Sequence, residues 1–448
     1  MLMPPGPNLP PALQMFRWIR DPFSVMEECH SRFGDAFTLR IPGFASGLVL
    51  LSDPDVAKEV FALGAGESHA GKGNLVLKPF LGAHSLMLLD GAEHLRQRKM
   101  ILPAFHGERM HAYGRTMMDV AHTTMDGWPL GKKFAVHPPM QAITIKVIIR
   151  TVFGVAEGPR FAELADVLTR TLEAATWPGL LFRFMQKDIG RLSPWGRFVR
   201  LVTRAGEILR DEIRQAQEKG TAGRTDVLAM MLDARDEAGR ALSEDELHDQ
   251  LLTLLVAGHE TTATSLAWTL RWLLPDGSLV SRLRAEIATA DEEPQRVAKL
   301  QLLDATVREA LRLEPVIPMV SRVLQRATRI GRFDFAAGTA VAPAIYLVNR
   351  RASLYPEPRR FRPDRFATFK PAAWEWLPFG GGLRRCIAAN FAIYEMKMVL
   401  ASLLPRIDAR LAASDIRYVR RSITVAPSDG LPIIVTANRP RASRAKAA

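Results

Sequence analysis

The sequence predicts a mainly α fold with minor β (an α+β domain), and three observations carry that prediction. Apolar residues recur at helical spacing from about residue 90 to 325. Short runs bounded by Gly and Pro lie on both sides of this helical middle: AFTLRIPGFASGLVLLSDPD near the start, RRSITVAPSDGLPIIVTAN near the end. No internal repeat and no linker longer than a loop interrupts the 448 residues, so the strands at the two ends fit one α+β domain whose sheet is closed by distant segments.

In chain order, residues 1–30 form a Pro-rich lead beginning MLMPPGPNLPP, and Cys29, in VMEECHSRFG, fits the buried apolar face of a first helix. Two short strands around a Gly/Pro turn follow, then a helix capped by Asp53 or Ser52 with Pro54 in its first turn. The helical middle is broken at TWPGLLF and RLSPWGR. Its longest helix, SEDELHDQLLTLLVAGHETTATSLAWTLRWLL, opens on a capping-box pattern, Ser243 with Glu246, and its apolar run requires it to cross the core. Gly258, His259, Glu260, Thr261 and Thr262 in its middle are unusual there, since an interior Gly costs about 1 kcal/mol against Ala and a buried carboxylate needs a partner. They read either as a kinked packing site where Gly258 admits a neighbouring side chain, or as a helix opened over a ligand with Glu260 and Thr261 passing protons.

The next helix, LLDATVREALRLEP, stops at Pro315 and sets Glu309 and Arg312 on one face. The same spacing recurs at Glu293 to Arg296 and Glu357 to Arg360, where a solvated pair is the default; the apolar company of Val307, Leu311 and Leu313 singles out the first. GRFDFAAGTAVAP begins the second strand-rich part, and residues 438–448 form a disordered basic tail.

Composition excludes several classes. With 48% apolar and 24% charged residues the chain can bury a large core. A formal net charge of +13 suits solubility or an acidic partner, but no dense basic run with interleaved aromatics points to nucleic acid. Two cysteines, Cys29 and Cys386, form no disulfide framework and cannot hold an iron–sulfur cluster, and no His follows Cys386 at zinc-finger spacing. Without an apolar run of about 18 residues or a secretory signal, the reading is a cytoplasmic protein with no transmembrane anchor.

Cys386 lies in FGGGLRRCIAANFA, after a Gly-rich loop and before an amphipathic helix. Helix amides with Arg384 and Arg385 favour thiolate, for use as a nucleophile or as a soft metal ligand. The phosphatase kind of nucleophile wants Arg six residues later, where Ala392 stands. A haem, which brings four nitrogen ligands of its own, would explain glycines at a flat macrocycle and arginine at its propionates.

FGGGLRRCIA resembles the haem-binding loop of the cytochrome P-450 family, usually F-x-x-G-x-R-x-C-x-G, with Phe379, Gly382, Arg384 and Cys386 in place and Ala388 where Gly is usual. AGHETT is similar to the family's oxygen-activation motif, which makes Glu260 and Thr261 an acid and alcohol pair; Glu309 and Arg312 resemble its E-x-x-R pair, and FRPDRF supplies Arg365 to complete that network. HLRQR places His94 and Arg98, and the strand after Pro315 places Arg322, where propionate contacts are expected. The resemblance covers roughly residues 30 to 435 with the motifs in family order.

It implies one large domain over 1–448, haem b held by the Cys386 thiolate, and a monooxygenase that inserts one atom of O2 into a hydrophobic small molecule such as a fatty acid, terpenoid, steroid or polyketide. Electrons would come from a separate ferredoxin and NAD(P)H-dependent ferredoxin reductase, with Arg96, Lys99, Arg385 and Lys397 as candidate contacts of a monomer. The pocket would be lined by Leu86, Leu181, Ala257, Val316, Val320 and Val425. A haem-thiolate peroxygenase or isomerase and a non-catalytic haem-binding sensor are the rival readings.

Overall fold

The computed structural model describes residues 3–44, 46–105, 109–155, 158–175, 186–188, 190, 193–421 and 423–441. Leu181 and the TWPGLLF break lie outside the described residues.

The architecture is built on the helix Glu244–Leu273, called the central helix below. It starts where expected: the Ser243 hydroxyl accepts from the Glu246 amide and the Glu246 carboxylate accepts from the Ser243 amide. Leu251, Leu255, Leu266, Trp268 and Leu270 bury it in the main core. Packed on it are the helices His137–Val152, Pro194–Lys219, Gln301–Leu313 and Ala389–Leu403.

The helix runs unbroken through Gly258. A Cβ there would lie 3.2 Å from Ile148 Cδ1, so the missing side chain lets the His137–Val152 helix approach closely. Close packing is thus one role of the glycine, and Glu260 and Thr261 beside it line a cavity on the same helix.

The N-terminal strands pair with strands that follow the helical middle, whereas the strands of the run RRSITVAPSDGLPIIVTAN form other sheets. A five-stranded sheet has the order Ala36–Leu39, Leu48–Leu51, Ala340–Pro343, Arg322–Leu324, Ser68–His69. Leu48–Leu51 pairs antiparallel with Ala36–Leu39 and parallel with Ala340–Pro343, and this doubly paired strand is buried at all four positions. A second sheet joins Lys133–Ala135, Pro432–Asn438 and Ile407–Leu411, and the hairpin Tyr418–Arg421 with Thr424–Pro427 lies beside the central helix.

Both ends of the chain differ from expectation. The Pro-rich lead is proline-rich only to its tenth residue; the helices Pro11–Arg20 and Pro22–Phe33 follow, each with proline at its start, and Asp21 caps the second by accepting from the Ser24 amide. Cys29 is buried as expected, but in the second helix, within a cluster that includes Trp18, Phe23, Met26, Phe37 and Leu48. At the other end Arg439 pairs with Asp408 and Arg441 with Asp119 and Glu292, so the expected disordered tail is ordered through Arg441. Residues 442–448 lie outside the described residues. Asp53 is the cap before Pro54, accepting from the amides of Asp55 and Val56. Among the described residues no helix is long and apolar enough to cross a membrane.

Candidate active site

A cavity of about 1830 Å³ brings together Cys386, His94, Arg98, Arg322, Phe379, Arg384, Ala388, Glu260 and Thr261. These residues are spread over some three hundred positions of sequence, and the central helix and the Cys386 loop are what bring them to one space.

The loop is shaped by its backbone. The Cys386 amide donates to Phe379 O at 2.9 Å, and Gly380 and Gly382 both have φ of +64°, a conformation that favours glycine. A Cβ on Gly381 would meet the Phe61 ring at 2.5 Å, and one on Gly382 would meet Phe61 O at 2.1 Å. Gly382 therefore seats the loop against the helix Pro54–Ala62 instead of lining the cavity, which corrects its expected contact with the cofactor. Ala388 has φ −98° and ψ 21°, which any residue adopts, so its methyl group adds no backbone strain where the family usually has Gly.

Cys386 is exposed to the cavity it lines. Burial within the protein pushes its thiol pKa up, and the Ala388 amide, Arg385 and Arg98 oppose that shift. Burial of the loop thus opposes an anionic sulfur, while the Ala388 amide, Arg385 and Arg98 favour it. Arg384 contributes little, because it is ion-paired with Asp90 and donates to Leu86 O at 2.9 Å. An anionic sulfur at this position calls for a cation bound directly to it.

Arg322 and Arg98 face the cavity without carboxylate partners among the described residues. Arg322 is only 6% exposed, its pKa is drawn down to about 10 by burial, and it donates to Ser321 O at 2.9 Å and Gly381 O at 3.5 Å. Arg98 has its pKa lowered by burial, and neither arginine has a carboxylate within 4.0 Å among the described residues. His94 is pushed down to about 3 by burial and by Arg384, Arg98 and Arg322, so it is a neutral donor at pH 7. One soft sulfur, two unneutralised guanidiniums and a neutral imidazole fit a haem: the iron for the thiolate, the propionates for His94, Arg98 and Arg322.

Across the cavity, Thr261 Oγ1 donates to Ala257 O at 2.7 Å, a bond to the preceding turn that leaves the oxygen free to accept. The Glu260 carboxyl is held on the far side of that turn: Gln141 Nε2 donates to it at 2.6 Å, Arg421 Nε lies 3.1 Å away and His137 Nε2 3.7 Å away. Burial raises its pKa, opposed first by the charge of Arg421 and then by hydrogen bonds from Gln141 and Thr264. Arg421, Gln141 and His137 carry no sequence signal that links them to Glu260, because each lies at least a hundred residues from it.

Glu309 and Arg312 are both 0% exposed, with two contacts at 2.7 and 2.8 Å. Glu309 Oε1 also accepts from Arg365 Nε at 3.0 Å and the Arg362 amide at 2.8 Å. Arg312 donates to Asn349 O at 2.7 Å, and the Asn349 side chain accepts from the Leu377 amide at 3.0 Å, at the entrance to the Cys386 loop. The two sequences of equal spacing behave otherwise: Glu357 and Arg360 pair at the surface, and Arg296 turns to Asp291.

Leu86, Ala257, Val316 and Val320 line the cavity. Val425 does not: it is 1% exposed and packs with Trp18 and Phe23, while its neighbours Ile423 and Thr424 take the lining position. Met15, Trp18 and Ile19, from the lead that sequence reading passed over, also line it; their spacing within the segment was the available signal. Of the candidate partner contacts, Lys397 is 4% exposed and bonded to Ala298 O and Asp304, and Arg96 is tied to Glu93 and Glu246. Neither presents its charge to a partner; Lys99 is exposed but pairs with Glu237 at 2.7 Å, and Arg385 is exposed.

A family model, Cytochrome P450, matches residues 4–420. "Putative cytochrome P450 135B1" of Mycobacterium tuberculosis (strain ATCC 25618 / H37Rv) is 40% identical over 444 residues, covering 98% of this chain and 92% of that protein. "Putative cytochrome P450 135A1" of the same strain is 34% identical over 431 residues, covering 96% and 94%. Among solved structures, retinoic acid bound cyanobacterial CYP120A1 superimposes with a TM-score of 0.85 at 25% identity, covering 97% of this chain and 99% of that one. The cytochrome P450DA heme domain gives 0.84 at 23% identity, covering 98% and 99%.

Proposed function

The chain belongs to the cytochrome P450 family, whose members bind haem through a cysteine thiolate and act as monooxygenases, and from that membership we propose the following assignment of residues, substrate and partner. Cys386 holds the iron; His94, Arg98 and Arg322 hold the propionates; the substrate is an extended apolar small molecule; a separate ferredoxin with its NAD(P)H-dependent reductase supplies electrons. The observation that carries the cofactor placement is the pair of carboxylate-free guanidiniums, Arg322 buried and Arg98 half-buried, beside a cavity-facing sulfur.

Bound haem supplies the activation of O2, with the thiolate raising electron density at the iron. The chain's own residues provide the rest. Leu86, Ala257, Val316 and Val320 exclude water and receive an apolar ligand. Retinoic acid, carried by one of the structural neighbours, is a ligand of this extended apolar kind. Thr261, its proton engaged by Ala257 O, accepts a hydrogen bond inside the cavity, and Glu260 one position earlier exchanges protons with the surroundings. Arg385, exposed beside the Cys386 loop, offers positive charge to an acidic electron donor.

Substrate-dependent NADPH consumption with a surrogate ferredoxin and reductase, together with incorporation of one labelled atom from O2 into product, tests the assignment. Candidate substrates are found first by the haem spin-state shift on binding. Turnover with peroxide alone, and none with the redox proteins, would favour a peroxygenase; ligand binding with no turnover by either route would favour a sensor. Thr261→Ala is expected to keep haem and substrate binding while diverting reducing equivalents to hydrogen peroxide, with product per NADPH falling about tenfold. Unchanged coupling in that variant removes Thr261 from proton delivery.

A further inference from the structure

We propose that Arg421 is a positioning residue for Glu260, and that the hairpin carrying it makes proton exchange at Glu260 depend on what occupies the cavity. The proposal rests on the reading of Glu260 as a proton-delivery group.

Three elements face the Glu260 carboxyl. The His137–Val152 helix contributes Gln141 and His137, the central helix contributes Thr264 and the neighbouring His259, and the hairpin contributes Arg421. Both histidines are uncharged at neutral pH, each pushed down to about 3 chiefly by burial. His137 Nε2 is also engaged with Thr264 Oγ1 at 3.0 Å, and His259 Nδ1 with Thr144 Oγ1 at 2.8 Å. Among the described residues Arg421 is therefore the one charged group acting on this carboxyl. Burial favours the protonated acid and Arg421 favours the ionised one. A relay must visit both forms near working pH, and an acid held in either form alone moves no protons.

The contact is ionic and weakly directed, because the Arg421 Nε–H has no aligned acceptor although Glu260 Oε1 is 3.1 Å away. It can lengthen without breaking a well-formed hydrogen bond. Arg421 stands opposite Thr424 in the hairpin register, and Arg421, Ile423 and Thr424 all line the cavity. The next residue is anchored: the Val425 amide donates to Val316 O at 2.9 Å, and Trp268 Nε1 donates to Val425 O at 3.0 Å. A ligand that presses on Ile423 thus acts on the side of the hairpin that carries Arg421, while Val425 stays fixed to the central helix and to the segment after Pro315. The hairpin is in this way both a wall of the ligand space and the holder of the acid's counter-ion.

The test uses infrared titration of the haem-loaded protein, following the protonated-carboxyl band that Glu260→Gln removes. Arg421→Gln is expected to raise the titration midpoint by about one pH unit or more, and Arg421→Lys to restore most of it. A ligand found by spin-state shift should move the midpoint in the parent protein and leave it unmoved in Arg421→Gln. In turnover, Arg421→Gln should lower product per NADPH severalfold with haem content unchanged and displace the pH profile to higher pH. A midpoint indifferent to Arg421→Gln overturns the positioning role, and a midpoint indifferent to ligand in the parent overturns the link to occupancy. Coupling unchanged in Glu260→Gln instead overturns the underlying reading of Glu260, and the infrared result with Arg421→Gln still decides whether Arg421 sets that acid's ionisation.

Discussion

Cys386→Ser yields folded protein whose reduced carbon monoxide complex lacks the strongly red-shifted Soret band of thiolate ligation, and its turnover with redox proteins falls to background. The fold survives because the bonds that shape the loop are backbone bonds: the Cys386 amide to Phe379 O, and the Gly380 amide to Leu377 O. Stability changes by no more than about 1 kcal/mol, as for a substitution that breaks no packing or hydrogen bond. The chemistry does not survive, since an alcohol is not deprotonated at pH 7 where a thiol bound to a metal is. The other cysteine offers no replacement: Cys29 is 3% exposed in a separate apolar cluster, with its thiol pushed up to about 11 by burial. A thiolate spectrum in the folded, loaded Ser variant would place the iron ligand elsewhere and end the assignment.

Glu309→Ala is expected to lose about 3–5 kcal/mol of stability, the range for removing one partner of a buried ion pair. The cost arises on both sides of the gap. Arg312, 0% exposed, keeps its bonds to Asn349 O and Pro358 O but loses its counter-ion, and Arg365 and the Arg362 amide lose their acceptor. Because Arg312 bears on Asn349, and Asn349 on Leu377, the disturbance reaches the Cys386 loop, so the residual folded protein should also hold haem less firmly. Urea unfolding with parallel haem quantification checks both parts. Glu357→Ala, which removes the equally spaced surface pair with Arg360, is the control and should leave the unfolding midpoint where it was. A fully loaded Glu309→Ala protein of parent stability would show that the pair is dispensable.

The contrast between these two glutamates shows where sequence reading stops. Glu309 and Glu357 each precede an arginine by three residues, and nothing local distinguishes a buried pair from a solvated one except apolar neighbours. Burial is a property of the surroundings, here Tyr355, Asn349 and Pro358, which the chain brings back from beyond residue 345. Local signals did carry over where the physics is local. The capping box at Ser243, the cap at Asp53 and the glycine-dependent turns around Cys386 each involve atoms within a few residues of one another.

Where several distant elements converge, the reading went astray. Val425 was chosen for the cavity, but neighbouring residues of a strand point to opposite faces, so an error of one position turns a lining residue into a core residue. Lys397 reads as a surface cation on an amphipathic helix, yet Ala298 O and Asp304 receive its ammonium inside the protein. Arg384 lines the cavity as its place in the loop suggests, but its ion pair with Asp90, almost three hundred residues away, is visible only in the fold.

The sequence by itself determined the mainly α class with minor sheet and the motif residues that frame the site, because periodicity, caps and turns are encoded over short spans. Only the tertiary structure decided that Gly258 seats Ile148, that Gly382 rests on Phe61, and that Arg421 faces Glu260. Each of these is a contact between segments far apart in the chain, and contacts of that kind are set by packing of the whole, where no local pattern specifies the partner.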